Sequence, residues 1–212
     1  VGTTRLIARS LAANIEIDSQ KLEAYLTKIA KMVNRITKIV NGLRAFSRDG
    51  SQEPITQFPI DKFFSDISDL CHANLVHKKV DIRFLIDDPS IIVSGREVQL
   101  SQVLINMINN SADAVEKLDE KWITVECVST KDQLVISITD SGQGIPADIQ
   151  TKMLQPFFTT KELGKGTGLG LSISLGIIES HGGTLTYCQN HKNTRFEITL
   201  RRSTFGSIPS AA

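Results

Sequence analysis

From Leu22 onward, apolar side chains recur at Leu22, Ile29, Ile36 and Leu43, with Tyr25, Met32, Ile39 and Phe46 three residues after each. That is a heptad seam carried through four repeats. Leu26, Val33 and Val40 lie beside it and widen the stripe. A stripe this broad suits a helical bundle better than a two-stranded coiled coil. Upstream, Ile7, Leu11 and Ile15 fall on one face of what reads as the end of a preceding helix, and Asp18 or Ser19 can cap the next one. Residues 1–48 therefore predict a helical hairpin. Two such hairpins, one from each of two copies, make a four-helix bundle, while a hairpin folded back on its own chain is the plainer alternative.

Beyond Phe46 the pattern changes. Residues 49–54, Asp-Gly-Ser-Gln-Glu-Pro, carry helix breakers and no apolar side chain beyond the proline, so they read as a linker and hinge. Residues 55–202 then alternate strand and helix signals, and residues 203–212 are mostly small and polar, as in a frayed tail. Ile55–Phe58 reads as a short strand, and Pro59 starts a helix with Phe63, Phe64, Ile67, Leu70, Cys71 and Leu75 on its period. Val80, Ile82 and Phe84 alternate as a strand, Ile91–Val93 is another, and Val98–Leu118 is a long amphipathic helix. Ile123, Val125 and Cys127 alternate; so do Leu134, Ile136 and Ile138, against Val135, Ser137 and Thr139 on the opposite face. Leu169–Ser180 is a second helix, and Leu185–Cys188 with Phe196–Leu200 closes the sheet as a hairpin. Strands with helices gathered on one side predict an α+β fold, a two-layer α/β sandwich.

Between Ile145 and Gly164 the periodic signals fade for longer than a compact domain tolerates in a plain connection, which points to a lid. Phe157 and Phe158 sit inside it, either as anchors that pack when the lid closes or as ordinary core residues.

Composition narrows the function. The 212 residues carry a net charge of +1, with Lys and Arg scattered, which gives no electrostatic case for nucleic acid as a partner. No apolar run is long enough to span a bilayer, and no leader is visible. The chain starts at Val1 rather than Met, which reads as a fragment and leaves room for a membrane anchor upstream. Cys71, Cys127 and Cys188 are widely spaced and odd in number, which suits a reducing, cytoplasmic setting better than a disulfide framework.

Three constellations carry chemistry. Asn106 and Asn110 lie four apart on one face of the long helix, while Asn109 points elsewhere. An amide oxygen is a hard, neutral ligand suited to Mg²⁺ on phosphate oxygens; the bland alternative is a solvated polar face. Asp140 ends an apolar strand and opens Asp-Ser-Gly-Gln-Gly-Ile, with Gly142, Gly144 and Ile145. A carboxylate buried there can accept a hydrogen bond from the exocyclic amine of adenine and leave guanine unpaired; a simple turn is the alternative. Gly164-Lys165-Gly166-Thr167-Gly168-Leu169-Gly170-Leu171 leads into a helix whose N-terminus can hold phosphates, with Lys165 or Lys161 adding a point charge. Its spacing matches neither the usual P-loop nor the dinucleotide fingerprint. His72 and His77 have the wrong spacing for one metal site, His181 before two glycines reads as a helix-end cap, and Trp122 as a packing residue at a strand start.

In this order the motifs resemble the kinase core of a two-component sensor histidine kinase. Residues 106–114 resemble its N box, 140–145 the first glycine box, 157–161 the F box and 164–171 the second glycine box. His181-Gly182-Gly183 and Thr194-Arg195-Phe196 resemble the closing hairpin, and residues 1–48 the end of the first and all of the second helix of the dimerisation and phosphotransfer domain. The resemblance implies the Bergerat ATP-binding fold shared with gyrase, heat-shock-chaperone and mismatch-repair ATPases. It implies that Asn110 ligates Mg²⁺, that Asp140 binds adenine with support from Thr194, and that Gly142, Gly144, Ile145, Phe158, Thr159, Lys161, Gly166, Thr167, Gly168, Leu169 and Gly170 line the ATP site. Asn106 and Lys165 stand nearest the chemistry. In the hydrolase branch the position of Asn106 is a general-base Glu; an amide cannot abstract a proton, so ATP would be held for transfer rather than efficiently hydrolysed.

The resemblance also implies a homodimer and a response-regulator aspartate as the final phosphoryl acceptor. The family's accepting His lies on the first helix, and no His precedes His72 here. Either truncation removed it, or the natural protein lacks it and serves as an ATP-sensing regulatory module. An ATP-driven machine of the hydrolase branch is the third alternative, which Asn106 opposes.

Overall fold

The computed structural model describes residues 18–47, 54–161 and 166–201. The expected first helix of the hairpin, most of the linker, Lys165 and the tail lie outside these residues. The first described element, α1 (Ser19–Ser47), is a single helix of 29 residues. Asp18 caps it: its carboxylate accepts from the Gln20 N–H at 3.2 Å, satisfying a donor that the first turn leaves without a partner. Leu22, Tyr25 and Ile29 are half-buried, whereas Leu26, Met32 and Val33 are exposed.

β1 (Thr56–Pro59) is followed directly by α2 (Ile60–Lys78), with Pro59 as the N-cap in extended geometry. Ile60, Phe63, Phe64, Ile67, Cys71 and Leu75 form the buried face of α2, whereas Leu70, expected on the same period, is exposed because it falls beside that face. Lys79, in the left-handed region (φ 57°), ends the helix; its N–H and that of Val80 return to the carbonyls of Val76 and Leu75. β2 (Asp81–Ile86) and β3 (Ile92–Gly95) follow, then α3 (Glu97–Val115), β4 (Trp122–Ser129) and β5 (Gln133–Asp140). A short helix, α4 (Ala147–Gln150), precedes α5 (Gly170–Ser180), and the chain closes with β6 (Thr184–Tyr187) and β7 (Arg195–Arg201).

The main sheet has the order β2-β4-β5-β7-β6, with β2 and β4 parallel and every other pair antiparallel. The strand at Ile91–Val93 does not join it; β3 pairs with β1 in a separate two-stranded ribbon. The central helix α3 packs against α2 on one side, α5 on the other, and the sheet beneath. Between the layers, Leu100, Val103, Leu104, Met107, Ile108, Ala112 and Val115 of α3 meet the apolar faces of β4, β5 and β7 in one core. The other face of β5 is also covered, though not by an apolar layer. Arg195 lies over Ser137 and Thr139 and is bracketed by Glu126 at 2.7 Å and Glu197 at 3.1 Å, so the strand is buried on both faces. This arrangement is the α+β sandwich that the strand and helix pattern predicts. Its consequence for function is positional: β5 ends at Asp140 beside Ser111, in the C-terminal half of α3.

Candidate functional site

Asp140 is 2% exposed at the C-terminal end of β5. Its carboxylate accepts from the Gly142 N–H at 2.8 Å, and from the hydroxyls of Ser111 on α3 and Thr194 before β7. Burial pushes its pKa above the ordinary carboxylate value; those three donors work against burial without cancelling it. The turn is tied to the closing hairpin: the Asp140 N–H donates to the Thr194 carbonyl at 3.0 Å, the Thr194 N–H to the Gly142 carbonyl at 2.9 Å, and the Gly144 N–H to Thr194 Oγ1 at 3.2 Å. A Cβ on Gly142 would sit 2.7 Å from both Asp140 Oδ1 and Thr194 Oγ1, so only glycine lets the backbone pass there. The Ile145 N–H donates to Tyr187 Oη at 2.9 Å.

On α3, one helical turn separates two contacts. Asn106 Nδ2 donates to Ser174 Oγ of α5 at 2.9 Å, and the Asn106 amide lies where a Cβ on Gly170 would be. Gly170 therefore allows the start of α5 to close on α3. Asn110 Oδ1 accepts from Lys161 Nζ at 3.3 Å. Asn109 faces the other way and bonds Asn74 of α2 at 2.6 Å. So Asn106, Asn110 and Ser111 of one helix reach three segments that are distant in sequence: the start of α5, the F-box arm and the Asp140 turn.

The F-box arm and the second glycine run lie against each other. A Cβ on Gly166 would meet Thr159 Oγ1 at 2.5 Å, and one on Gly168 (φ 67°) would meet the backbone of Phe157 and Phe158. Phe157 itself is left-handed (φ 68°) and 61% exposed, which removes it from the core; Phe158 is half-buried. Leu169 is buried, and its N–H reaches Thr167 Oγ1 at 3.4 Å. Ahead of this arm, Gln150 Nε2 donates to the Ile145 carbonyl at 2.6 Å, holding α4 to the glycine turn.

The structure thus gathers Asn106, Asn110, Asp140, Gly142, Gly144, Ile145, Phe158, Thr159, Lys161, Gly166, Thr167, Gly168, Leu169, Gly170 and Thr194 around the mid-section of α3; Lys165 falls outside the described residues. Four participants escape a motif reading. Ser111 and Asp113 sit inside the asparagine segment, where the asparagines draw the eye. Ser174 and Tyr187 lie on a helix and at a strand end whose spacing gives no hint of a polar partner. Among the described residues no cluster of His, Cys, Asp and Glu is arranged for a metal, and His72 and His77 form none. His181 caps α5 through Nδ1 on the Ile177 carbonyl at 2.7 Å, and its Nε2 accepts the Arg96 N–H at 3.0 Å, which ties α5 to the start of α3.

A buried carboxylate at a strand end, glycine-shaped backbone beside it and an asparagine helix opposite define a nucleotide-binding α+β fold. Comparison with known proteins agrees. The family described as Histidine kinase-, DNA gyrase B-, and HSP90-like ATPase matches residues 95–204, and the chain belongs to it. Among curated proteins, the sensor protein FixL of Bradyrhizobium diazoefficiens is 31% identical over 178 residues, 84% of this chain and 35% of FixL. The sensor kinase CckA of Brucella abortus is 33% identical over 84% of this chain and 20% of its own length. The chain therefore spans only about a fifth to a third of these relatives. The nucleotide-free catalytic domain of histidine kinase ThkA superposes with a TM-score of 0.62 at 28% identity, covering 70% of this chain and 98% of that domain. ThkA in complex with the response regulator protein TrrA shares the fold over 95% of this chain, with a TM-score of 0.74 at 24% identity.

Proposed function

We propose that this chain is the ATP-binding kinase core of a sensor histidine kinase, which delivers the γ-phosphoryl group of ATP to a histidine outside it and thence to an aspartate of a response regulator. The observation that carries this reading is the convergence on α3. Asp140, joined to Ser111, supplies a buried acceptor for the adenine amine; the F-box lysine Lys161 reaches Asn110 of α3; and Asn106 borders the start of α5, whose open N–H groups suit phosphates. Family membership and the sensor kinases among the relatives support it.

Mg²⁺ fits the site, because Asn110 Oδ1 already faces a cation, the Lys161 ammonium. When bound, the metal would neutralise charge on the phosphates. The protein's own share is positional. Asp140 and the Gly142–Ile145 turn fix the base, the Gly166–Gly170 backbone and Thr167 hold the phosphates, and Phe158, Thr159 and Lys161 border them. Lys165 is assigned a further point charge. Asn106 is an amide bonded to Ser174 and cannot serve as the general base that a hydrolase requires, so transfer to a side chain is favoured over hydrolysis. A second copy covering the exposed Leu26, Met32 and Val33 of α1 gives the dimer, and a receiver domain is the partner, as the ThkA complex with TrrA suggests. Cys71, Cys127 and Cys188 are all free thiols, which accords with a cytoplasmic setting.

The test extends the chain upstream through the preceding helix and incubates it with γ-labelled ATP and Mg²⁺. Base-stable, acid-labile label on the protein is the expected outcome. Rapid release of phosphate with no protein label would replace kinase with hydrolase.

A further inference from the structure

The nucleotide reading gives Lys161 a role with ATP bound, yet in the structure that lysine is engaged elsewhere. Its ammonium lies on Asn110 Oδ1 at 3.3 Å and on Asp113 Oδ2. Asp113 is one helical turn from Asn109 and Asn110, and its other oxygen is held by Lys78, which projects from the end of α2. Lys78 has a second acid, Glu116, at 3.6 Å. Burial alone would raise the Asp113 pKa, but the hydrogen bonds and charges of Lys161 and Lys78 outweigh it and hold the carboxylate below its usual range. The result is an ion triad, lysine-aspartate-lysine, joining α2, α3 and the F-box arm.

We infer that Asp113 is a positioning residue that latches the lid arm beside Asn110, the amide proposed for the metal, with Lys161 on the oxygen that the cation would take. The inference deepens the nucleotide reading of the same site, since a metal on Asn110 Oδ1 and the Lys161 ammonium on that oxygen exclude each other. Nucleotide entry then requires Lys161 to leave Asn110, and Asp113 sets how readily it leaves. Lys78 tunes the latch, because it competes with Lys161 for the charge of one carboxylate. The backbone geometry is consistent with a strained arm: Phe157, four residues before Lys161, is held in a left-handed conformation against Gly168.

The consequence is a pair of substitutions that part company: one loosens the arm and the other does not. Asp113→Asn leaves Lys78 its Glu116 partner but leaves Lys161, among the described residues, only neutral amide oxygens. Lys78→Met leaves the whole carboxylate charge to Lys161. Hydrogen–deuterium exchange of residues 145–161 in the nucleotide-free protein reads the latch directly. Asp113→Asn should speed exchange in the arm by roughly tenfold, the scale of one charged hydrogen bond, with protection across α3 unchanged. Lys161→Met, on a partly exposed side chain, should do the same without touching α3, and Lys78→Met should slow exchange or leave it as it was. Asp113→Glu should restore the latch. Unchanged arm exchange in both Asp113→Asn and Lys161→Met, or faster exchange in Lys78→Met matching that in Asp113→Asn, would overturn the latch. None of these measurements uses nucleotide, so loss of the latch and loss of the ATP reading are separate results. An ATP analogue with Mg²⁺ should then associate several-fold faster with Asp113→Asn than with the parent, because a larger fraction of the protein is competent.

Discussion

Asp140 shows how one side chain can be costly to folding and, on the proposed reading, valuable to binding. Burial raises its pKa, because water would solvate the ionised carboxylate better than the interior does. An adenine amine donated to that carboxylate favours the ionised form, so the pKa in the complex lies below that in the free protein. Affinity is therefore full well above the free pKa and is lost as pH falls through it, beginning at a higher pH than an unperturbed carboxylate would give. Binding of an ATP analogue measured across mildly acidic pH checks this; a flat profile would mean that Asp140 does not meet the base. The glycines make a second test. Gly168→Ala forces a Cβ into the Phe157 backbone at a φ that alanine avoids, and should cost about 1–3 kcal/mol of stability by denaturant unfolding. The sequence made Asp140 and these glycines legible because their chemistry is local: an acid ending an apolar strand, and glycine where a turn needs it. Ser111, Ser174 and Tyr187 were not legible, since each matters through a partner at least 29 residues away in the chain, which no short window contains.

Among the elements, α3 organises the rest, and its amphipathic period was enough to find it. Its apolar face builds the core while Asn106, Asn110, Ser111 and Asp113 reach α5, the lid arm and the end of β5. The open face of β5 was harder to read. The period puts Val135, Ser137 and Thr139 opposite the apolar face and names no cover for them, whereas Arg195 covers Ser137 and Thr139 and is held by Glu126 and Glu197. Replacing Arg195 with Met leaves two carboxylates facing each other and two buried hydroxyls short of a partner. The expected loss is about 1–3 kcal/mol in unfolding free energy, with ATP-analogue affinity unchanged because Thr194 stays in place. The ribbon β1–β3 was missed as a separate sheet for a related reason. Periodicity identifies a strand, but pairing is decided by non-local contacts. Cys127 belongs to the core of β4, and burial, helped by the charge of Asp87, pushes its thiol up to about 12. Alkylating reagents at neutral pH should leave it unmodified until the protein unfolds, as mass spectrometry of labelled peptides would show.

For the whole molecule, the described residues join a long helix to an ATP-binding sandwich, and α1 also touches α5, the helix that follows the second glycine run. A bundle seam and a nucleotide domain are the two halves that a sensor kinase core needs, one to hold the acceptor and the other to supply the phosphoryl group. The heptad pattern predicts a seam along α1, but an apolar stripe does not name the chain that covers it. If a second copy does, Leu26→Glu combined with Val33→Glu should convert a dimer to a monomer in light scattering while leaving nucleotide binding intact.

The central claim is that Asp140, the asparagine helix and the glycine run enclose one adenine nucleotide. Calorimetric titration of the protein and its Asp140→Asn variant with a non-hydrolysable ATP analogue and Mg²⁺ tests it most directly. The parent should bind the adenine nucleotide with one-to-one stoichiometry and discriminate against the guanine counterpart, and the variant should lose roughly ten- to a hundredfold in affinity. Equal affinity in parent and variant, or equal binding of the two bases, would contradict the account.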